Sequence, residues 1–150
     1  METIIENYKT GIVVDATLKT AFDSICNPDA WWGNIEGPTN HTGDEFIYRP
    51  GDTWVHFKVI EMLPEQKIVW YVTDCHLPFV KDLKEWKDTT LVWNLKTTHA
   101  GTEIDFEHIG LAPGIECYDG CVNGWNFYIR ESLKALISEG KGMPGNRQKN

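Results

Sequence analysis

The sequence offers few residues that could work together as an acid and a base. The candidates are two histidines, His56 and His108, and two acids, Glu61 and Asp74. General acid–base catalysis needs such side chains within hydrogen-bond reach of a reacting group. Their spacing along the chain does not force either histidine next to either acid. The sequence also shows no nucleophile motif, phosphate-binding loop or metal triad. We therefore predict no catalytic residues, and the pattern favours a protein that is not an enzyme.

Four cysteines could bind a metal ion, but their spacing disfavours it. Cys117 and Cys121 lie four residues apart, and Cys75 precedes His76, so a zinc cluster is conceivable. Zinc sites usually carry more closely paired cysteines, and no CxxC occurs in this chain. We expect reduced thiols, Cys26 included, that pack as small apolar side chains. The prediction is no metal and no cofactor.

Composition limits the function classes. Hydrophobic residues make up 41% of the chain and charged residues 24%, as in ordinary globular domains. The net charge of −8 and the absence of a basic stripe argue against nucleic-acid binding. No apolar run approaches 18 residues and no leader is recognisable, which predicts no membrane insertion and a cytoplasmic location. Seven tryptophans, six phenylalanines and five tyrosines are enough to wall an apolar pocket as well as to fill a core.

Among the elements that would position these residues, one stretch, residues 115–140, has the clearest secondary-structure pattern. Its apolar side chains recur at steps of three and four residues, which is the spacing of one helix face. They are Cys117, Cys121, Trp125, Ile129, Leu133, Leu136 and Ile137. We predict one continuous helix over about residues 116–139. Gly124 should not break it, because a glycine inside a helix costs only about 1 kcal/mol relative to alanine.

Upstream, apolar and polar side chains alternate loosely over residues 6–14, which predicts a first strand. Thr17 is the expected N-cap of a short amphipathic helix that ends near Asn27. At most one further helical turn follows, and it brings in Trp31 and Trp32. Of these two adjacent indoles we expect one to face inward and the other to be partly exposed.

The sequence pattern in the middle of the chain predicts strands joined by turns. Residues 78–88 are irregular and separate the fifth predicted strand from a last hairpin. The six strand-like segments after the first are residues 35–41, 45–48, 53–63, 68–75, 89–97 and 102–111. The fold class is therefore α+β: a curled antiparallel sheet of about seven strands around one long C-terminal helix, with two short helices after the first strand. Residues 1–140 would form a single domain and residues 141–150 a flexible tail.

The last hairpin places a histidine on an apolar face. Ile104, Phe106 and His108 alternate onto the same side, and Trp93 lies on the corresponding face of the neighbouring strand. His108 can be a core histidine whose ring is hydrogen-bonded to its neighbours. Alternatively, it can be a hydrogen-bonding group inside a pocket.

Short motifs along residues 5–140 together carry a resemblance. They are Val13-Val14-Asp15-Ala16-Thr17, Asn27-Pro28 before Trp31-Trp32, Lys67-Ile68-Val69-Trp70, His108-Ile109-Gly110-Leu111, Gly124-Trp125 and Leu133-Lys134-Ala135-Leu136. In this order they resemble the helix-grip superfamily (START, birch-pollen-allergen-like, or SRPBCC), in its branch of activators of the heat-shock-protein-90 ATPase. The resemblance implies a cavity between the sheet and the long helix.

The resemblance leads to three functional hypotheses. The first is a binding protein that holds a hydrophobic small molecule, lipid-like or aromatic, in that cavity. The expected ligand-binding residues are Trp70, Trp93, Phe106, His108, Cys121, Trp125, Tyr128 and Ile129. The second is a small cyclase, hydrolase or dehydratase that uses the same cavity. The third is a co-chaperone-like interaction domain. A monomer or a homodimer fits each hypothesis.

Overall fold

The computed structural model describes residues 6–145, in which one antiparallel sheet packs against a long C-terminal helix. The first half of the chain contains β1 (Tyr8–Val14), α1 (Leu18–Ile25), a 3₁₀ turn (Pro28–Ala30), β2 (Ile35–Glu36), β3 (Glu45–Tyr48) and β4 (Trp54–Leu63). The second half contains β5 (Lys67–His76), β6 (Thr90–Thr98), β7 (Gly101–Ile109), α2 (Tyr118–Phe127), a π-helical segment (Tyr128–Leu133) and α3 (Lys134–Glu139). The predicted α+β class is confirmed.

The seven strands form one sheet in the order β1-β7-β6-β5-β4-β3-β2, with every neighbouring pair antiparallel. From β2 to β7 each strand pairs with the next, as a meander does, and β1 closes the far side beside β7. Two register shifts interrupt the pairing of β4 with β5. Irregularities of this kind bend a strand and increase its twist, which helps the sheet to curl around the helix.

The terminal helix, residues 118–139, is continuous as predicted and keeps Gly124 inside α2. It begins later than expected, because Ile115 and Glu116 lie before its first turn. Its middle is π-helical, with Tyr128 and Ser132 among the buried residues of that segment. The Ser132 hydroxyl donates to the carbonyl of Trp31 at 2.7 Å, so a polar side chain is fully satisfied under the helix.

The expectation for the two adjacent indoles was wrong, because Trp31 and Trp32 are both buried, with 0% and 3% of their surface exposed. Their rings stack on each other at 5.9 Å and 10°. The chain turns at the 3₁₀ helix instead of running as a strand, so consecutive side chains need not point to opposite faces. Trp31 donates its indole N–H to the carbonyl of Ser24 at 3.0 Å. Trp32 stacks on Tyr48 with ring centroids 3.9 Å apart.

The predicted strand over residues 35–41 is much shorter in the structure and ends at Glu36. Gly37 follows with φ of +105°, and a Cβ there would lie 2.6 Å from the carbonyl oxygen of Glu45. Glycine adopts such a conformation without steric cost, and extended pairing stops where it does so.

Residues that follow the terminal helix are hydrogen-bonded to the rest of the domain. The Met143 N–H donates to the Ser132 hydroxyl at 2.7 Å, and the Gly145 N–H donates to the carbonyl of Trp32 at 3.1 Å. The remainder of the predicted tail, residues 146–150, lies outside the described residues, and its flexibility stays a prediction. Within residues 6–145, no helix combines the length and the apolar character needed to cross a membrane.

Candidate ligand-binding cavity

A cavity of about 350 Å³, partly open to solvent, lies between α2, the β3–β4 connection and the β5–β6 loop. It is lined by Trp32, Tyr48, Pro50, Thr53, Val55, Leu77, Phe79, Trp86, Gly120, Cys121, Gly124, Trp125 and Tyr128. Two of these are helix glycines one turn apart, which leave space where side chains would otherwise fill it. A Cβ added at Gly120 would meet no atom within 4 Å. None of the described lining residues carries a charge.

A row of aromatic rings forms much of the cavity wall. Tyr48 stacks on Trp32, Trp32 lies 5.0 Å from Trp125, and Trp125 lies 6.0 Å from Trp86 at an angle of 14°. Aromatic rings of this size bury large apolar surfaces and prefer offset or tilted contacts with other rings. The wall is therefore suited to flat, apolar or conjugated molecules.

His108 lies behind this wall, with 0% of its surface exposed. Its Nδ1 accepts the indole N–H of Trp125 at 3.1 Å, and its Nε2 lies 3.0 Å from the Thr89 hydroxyl. The neutral ring therefore carries its proton on Nε2 and donates it to Thr89, whose own hydroxyl donates to the carbonyl of Trp86 at 2.6 Å. Burial lowers the pKa of His108 to about 3, because an imidazolium would lose its hydration there. The ring is fully hydrogen-bonded and holds Trp125 in place.

The β5–β6 loop, residues 77–89, is fastened to the start of the terminal helix by two glutamates. The Glu85 carboxylate accepts the backbone N–H groups of Glu116 and Cys117 at 3.0 and 3.1 Å. The Glu116 carboxylate in turn accepts the Lys81 N–H at 3.0 Å. A carboxylate at this position satisfies N–H groups that a helix start leaves unpaired and complements the helix dipole. These contacts hold Phe79 and Trp86, two wall residues of the loop, against the helix.

Among the cysteines, only Cys121 is both partly accessible and on the cavity wall. Cys117 is buried, and its Sγ accepts the Trp86 indole N–H at 3.3 Å. A hydrogen bond with Cys121, together with burial, raises the pKa of Cys117. All four cysteines are free thiols. Within residues 6–145 no group of three His, Cys, Asp or Glu side chains is placed to hold a metal ion.

The structure divides the eight predicted ligand-binding residues into two groups. Cys121, Trp125 and Tyr128 line the cavity. The prediction needs correction for the other five, because Trp70, Trp93, Phe106, His108 and Ile129 are packed in the core and do not line it. They lie on the inward faces of their elements as the alternation indicated, but the sheet and helix are in close contact there. The cavity described above lies beside the N-terminal half of the helix, along residues 120–128.

Several of the wall residues that sequence reasoning missed come from loops and turns. Trp32 follows the 3₁₀ turn, while Phe79 and Trp86 belong to the irregular segment between β5 and β6. Phe79 is 59% exposed at the cavity. The available signal was the concentration of large aromatic residues in a segment with no strand or helix pattern of its own.

The candidate acid–base residues lie outside the cavity. His56 lies between the buried Val55 and Phe57 of β4 and so points to the other face of the sheet. Its Nδ1 is 2.7 Å from the Thr73 hydroxyl and its Nε2 is 3.5 Å from a Glu45 carboxylate oxygen. Its cross-strand neighbour Asp74 pairs instead with Lys84, whose hydrogen bond lowers the pKa of that carboxyl. Glu61 pairs with Lys67 at 3.3 Å.

A curled antiparallel sheet that grips one long terminal helix defines the helix-grip class, a fold of ligand-binding and polyketide-cyclase-like proteins. The sequence model of the family "Activator of Hsp90 ATPase homolog 1-like protein" matches residues 15–138. The chain belongs to this family. No curated protein sequence is significantly similar to it.

Solved structures with the same fold are distant in sequence. The solution structure of the Aha1 dimer from Colwellia psychrerythraea superposes with a TM-score of 0.72 at 20% identity, over 93% of this chain and 100% of that one. A protein of Mesorhizobium loti gives 0.72 at 15% identity, over 88% and 96%. DynU16, from the dynemicin biosynthetic locus, gives 0.69 at 16% identity, over 89% of this chain and 48% of that one. At these identities the likeness is one of fold.

Proposed function

We propose that the protein binds a hydrophobic small molecule, aromatic or lipid-like, in the cavity beside α2. The observation that carries the proposal is a partly open space of about 350 Å³ in which six of the thirteen described lining residues are aromatic and none carries a charge. Small-molecule sites typically combine such apolar walls with a few polar atoms that orient the ligand. Here the lining residues that carry such polar groups are Thr53, Cys121 and Tyr48.

The character of the wall favours a neutral ligand. A charged group entering this cavity would give up its hydration without meeting an opposite charge, which is strongly unfavourable. The indole N–H groups of Trp86 and Trp125 are also engaged outside the cavity, with Cys117 and His108. These two tryptophans therefore offer the ligand apolar surface only.

The enzyme alternative has less support. A cyclase, hydrolase or dehydratase would need an acid or base on the cavity wall. The candidates His56, Glu61 and Asp74 are paired with other side chains away from it, and His108 is buried behind the wall. The likeness to DynU16, a protein of a biosynthetic locus, keeps this alternative under consideration.

Two kinds of protein partner remain proposals. The solution dimer of Colwellia Aha1 supports a homodimer, which sedimentation velocity would distinguish from a monomer. The family description refers to activation of the Hsp90 ATPase, so a chaperone interaction is a further candidate. A pull-down with purified Hsp90 would test that interaction directly.

Filling the cavity from Gly120 tests the proposed site. Gly120 is helical, and its missing side chain faces open space, so Gly120→Leu should fold normally and gain up to about 1 kcal/mol of helix stability. The new side chain would occupy the cavity, and affinity for a hydrophobic fluorescent probe should fall by about tenfold or more, equivalent to about 1.4 kcal/mol. Titration of probe fluorescence and chemical denaturation measure the two effects.

The matched control is Asn123→Leu, which adds the same side chain to an exposed position of the same helix away from the cavity. It should leave probe binding unchanged. If Gly120→Leu binds the probe as tightly as the wild type while remaining folded, the ligand site is not this cavity.

A further inference from the structure

Among the described residues that line the cavity, Cys121 carries the one thiol. Cys121 is half-buried on the inner side of α2, between the two glycines that open the space. The other three cysteines are buried. Burial raises the pKa of Cys26 to about 12 and also raises that of Cys75, so neither thiol readily forms a thiolate.

Cys117, one helical turn before Cys121, is buried and already hydrogen-bonded, because the Trp86 indole N–H donates to its sulfur at 3.3 Å. The neighbouring Cys121 and burial raise the pKa of Cys117, which disfavours its thiolate. Of these two thiols, that of Cys121 is the one on the cavity wall, where it can meet a bound molecule.

We propose that Cys121 is a covalent attachment site for an apolar, conjugated electrophile with an α,β-unsaturated carbonyl group. The proposal rests on the proposed function, since the same cavity must first bind the molecule. The sulfur forms a bond to the β-carbon while the carbon–carbon double bond becomes single. The thiol proton ends on the α-carbon. No oxidant or reductant is consumed, and the carbonyl group is retained.

The cavity would favour this reaction by holding the two partners together. Its aromatic wall suits a flat, conjugated molecule, and the absence of charge on the described wall disfavours ionic competitors. A bound electrophile beside the thiol reacts as part of one complex, which raises its effective concentration. The adduct would remain in the cavity, so a molecule that first binds reversibly becomes covalently attached to the protein.

The test compares two ketones that differ only in one double bond. Benzylideneacetone carries the enone, and benzylacetone is its saturated counterpart. Intact-protein mass spectrometry with peptide mapping follows adduct formation, and tryptophan fluorescence follows binding of the saturated ketone. We expect a single adduct on Cys121, formed about tenfold or more faster than on the urea-unfolded chain. An excess of benzylacetone should slow the reaction.

Cys121→Ser keeps nearly the same volume and a polar group at this position, and should form no adduct. Cys26 and Cys75 serve as buried internal controls within the same molecule. If benzylacetone binds and the enone gives no adduct, or one on another cysteine, the covalent inference is overturned and the proposed function stands. If neither ketone binds, the proposed function fails, and this inference fails with it.

Discussion

Replacing Trp125 by alanine is expected to destabilise the protein by about 3–5 kcal/mol. Only 2% of this side chain is exposed, and its ring lies 4.7 Å from Phe106 and 5.0 Å from Trp32. The substitution would remove these contacts and leave Nδ1 of His108 without its donor. A buried acceptor without a partner adds to the loss. Chemical denaturation of the variant and the wild type measures the difference.

The control is Trp125→Phe, which keeps an aromatic ring and loses only the N–H donor and part of the volume. Its cost should be clearly smaller than that of the alanine variant. Because Trp125 also lines the cavity, both variants should show altered probe binding. A loss below about 1 kcal/mol for Trp125→Ala would mean that this face of the helix does not pack as described.

Acidification is expected to destabilise the wild type through His108 by up to about 4–5 kcal/mol between pH 6.5 and pH 3, at about 1.4 kcal/mol per pH unit. The folded pKa is lowered from 6.5 to about 3. Between these values the unfolded chain binds a proton on this ring and the folded chain does not. The free energy of unfolding therefore decreases as the pH falls from 6.5 to about 3. Above pH 6.5, His108 adds no further pH dependence to it.

The comparison variant is His108→Asn, whose side-chain oxygen can accept the Trp125 N–H in place of Nδ1. At pH 7 it should be less stable than the wild type, because its smaller side chain leaves a void. Its stability should decrease less between pH 6.5 and pH 3. Unfolding curves recorded across that range give, for each protein, the slope of the free energy of unfolding against pH. Equal slopes for the two proteins would show that His108 titrates normally and is not buried as described.

Periodic features of the fold could be predicted from sequence. The spacing of Trp125, Ile129 and Leu133 indicated the terminal helix, and alternation in the last hairpin placed His108 on the inward face. Both signals are local, since each depends only on residues a few positions apart. The same local signals indicated which faces pack inward, but they carry no information on where packing leaves a space.

The cavity itself depends on contacts between distant parts of the chain. Glu85 fixes the start of a helix more than 30 residues away, and β1 pairs with β7 at a separation of about 100 residues in the pairing of Tyr8 with His108. Trp32 reaches the wall because a 3₁₀ turn directs both neighbouring indoles inward. No spacing rule predicts such arrangements, because they arise only once the tertiary fold has formed.

The central claim is that this cavity holds a hydrophobic small molecule, and native mass spectrometry tests it most directly. Wild-type protein and Gly120→Leu would be purified side by side and incubated with an apolar extract of the expression host. We predict a bound small molecule on the wild type and bare protein for the variant. A wild type that stays bare, or equal occupancy of both proteins, would contradict the claim.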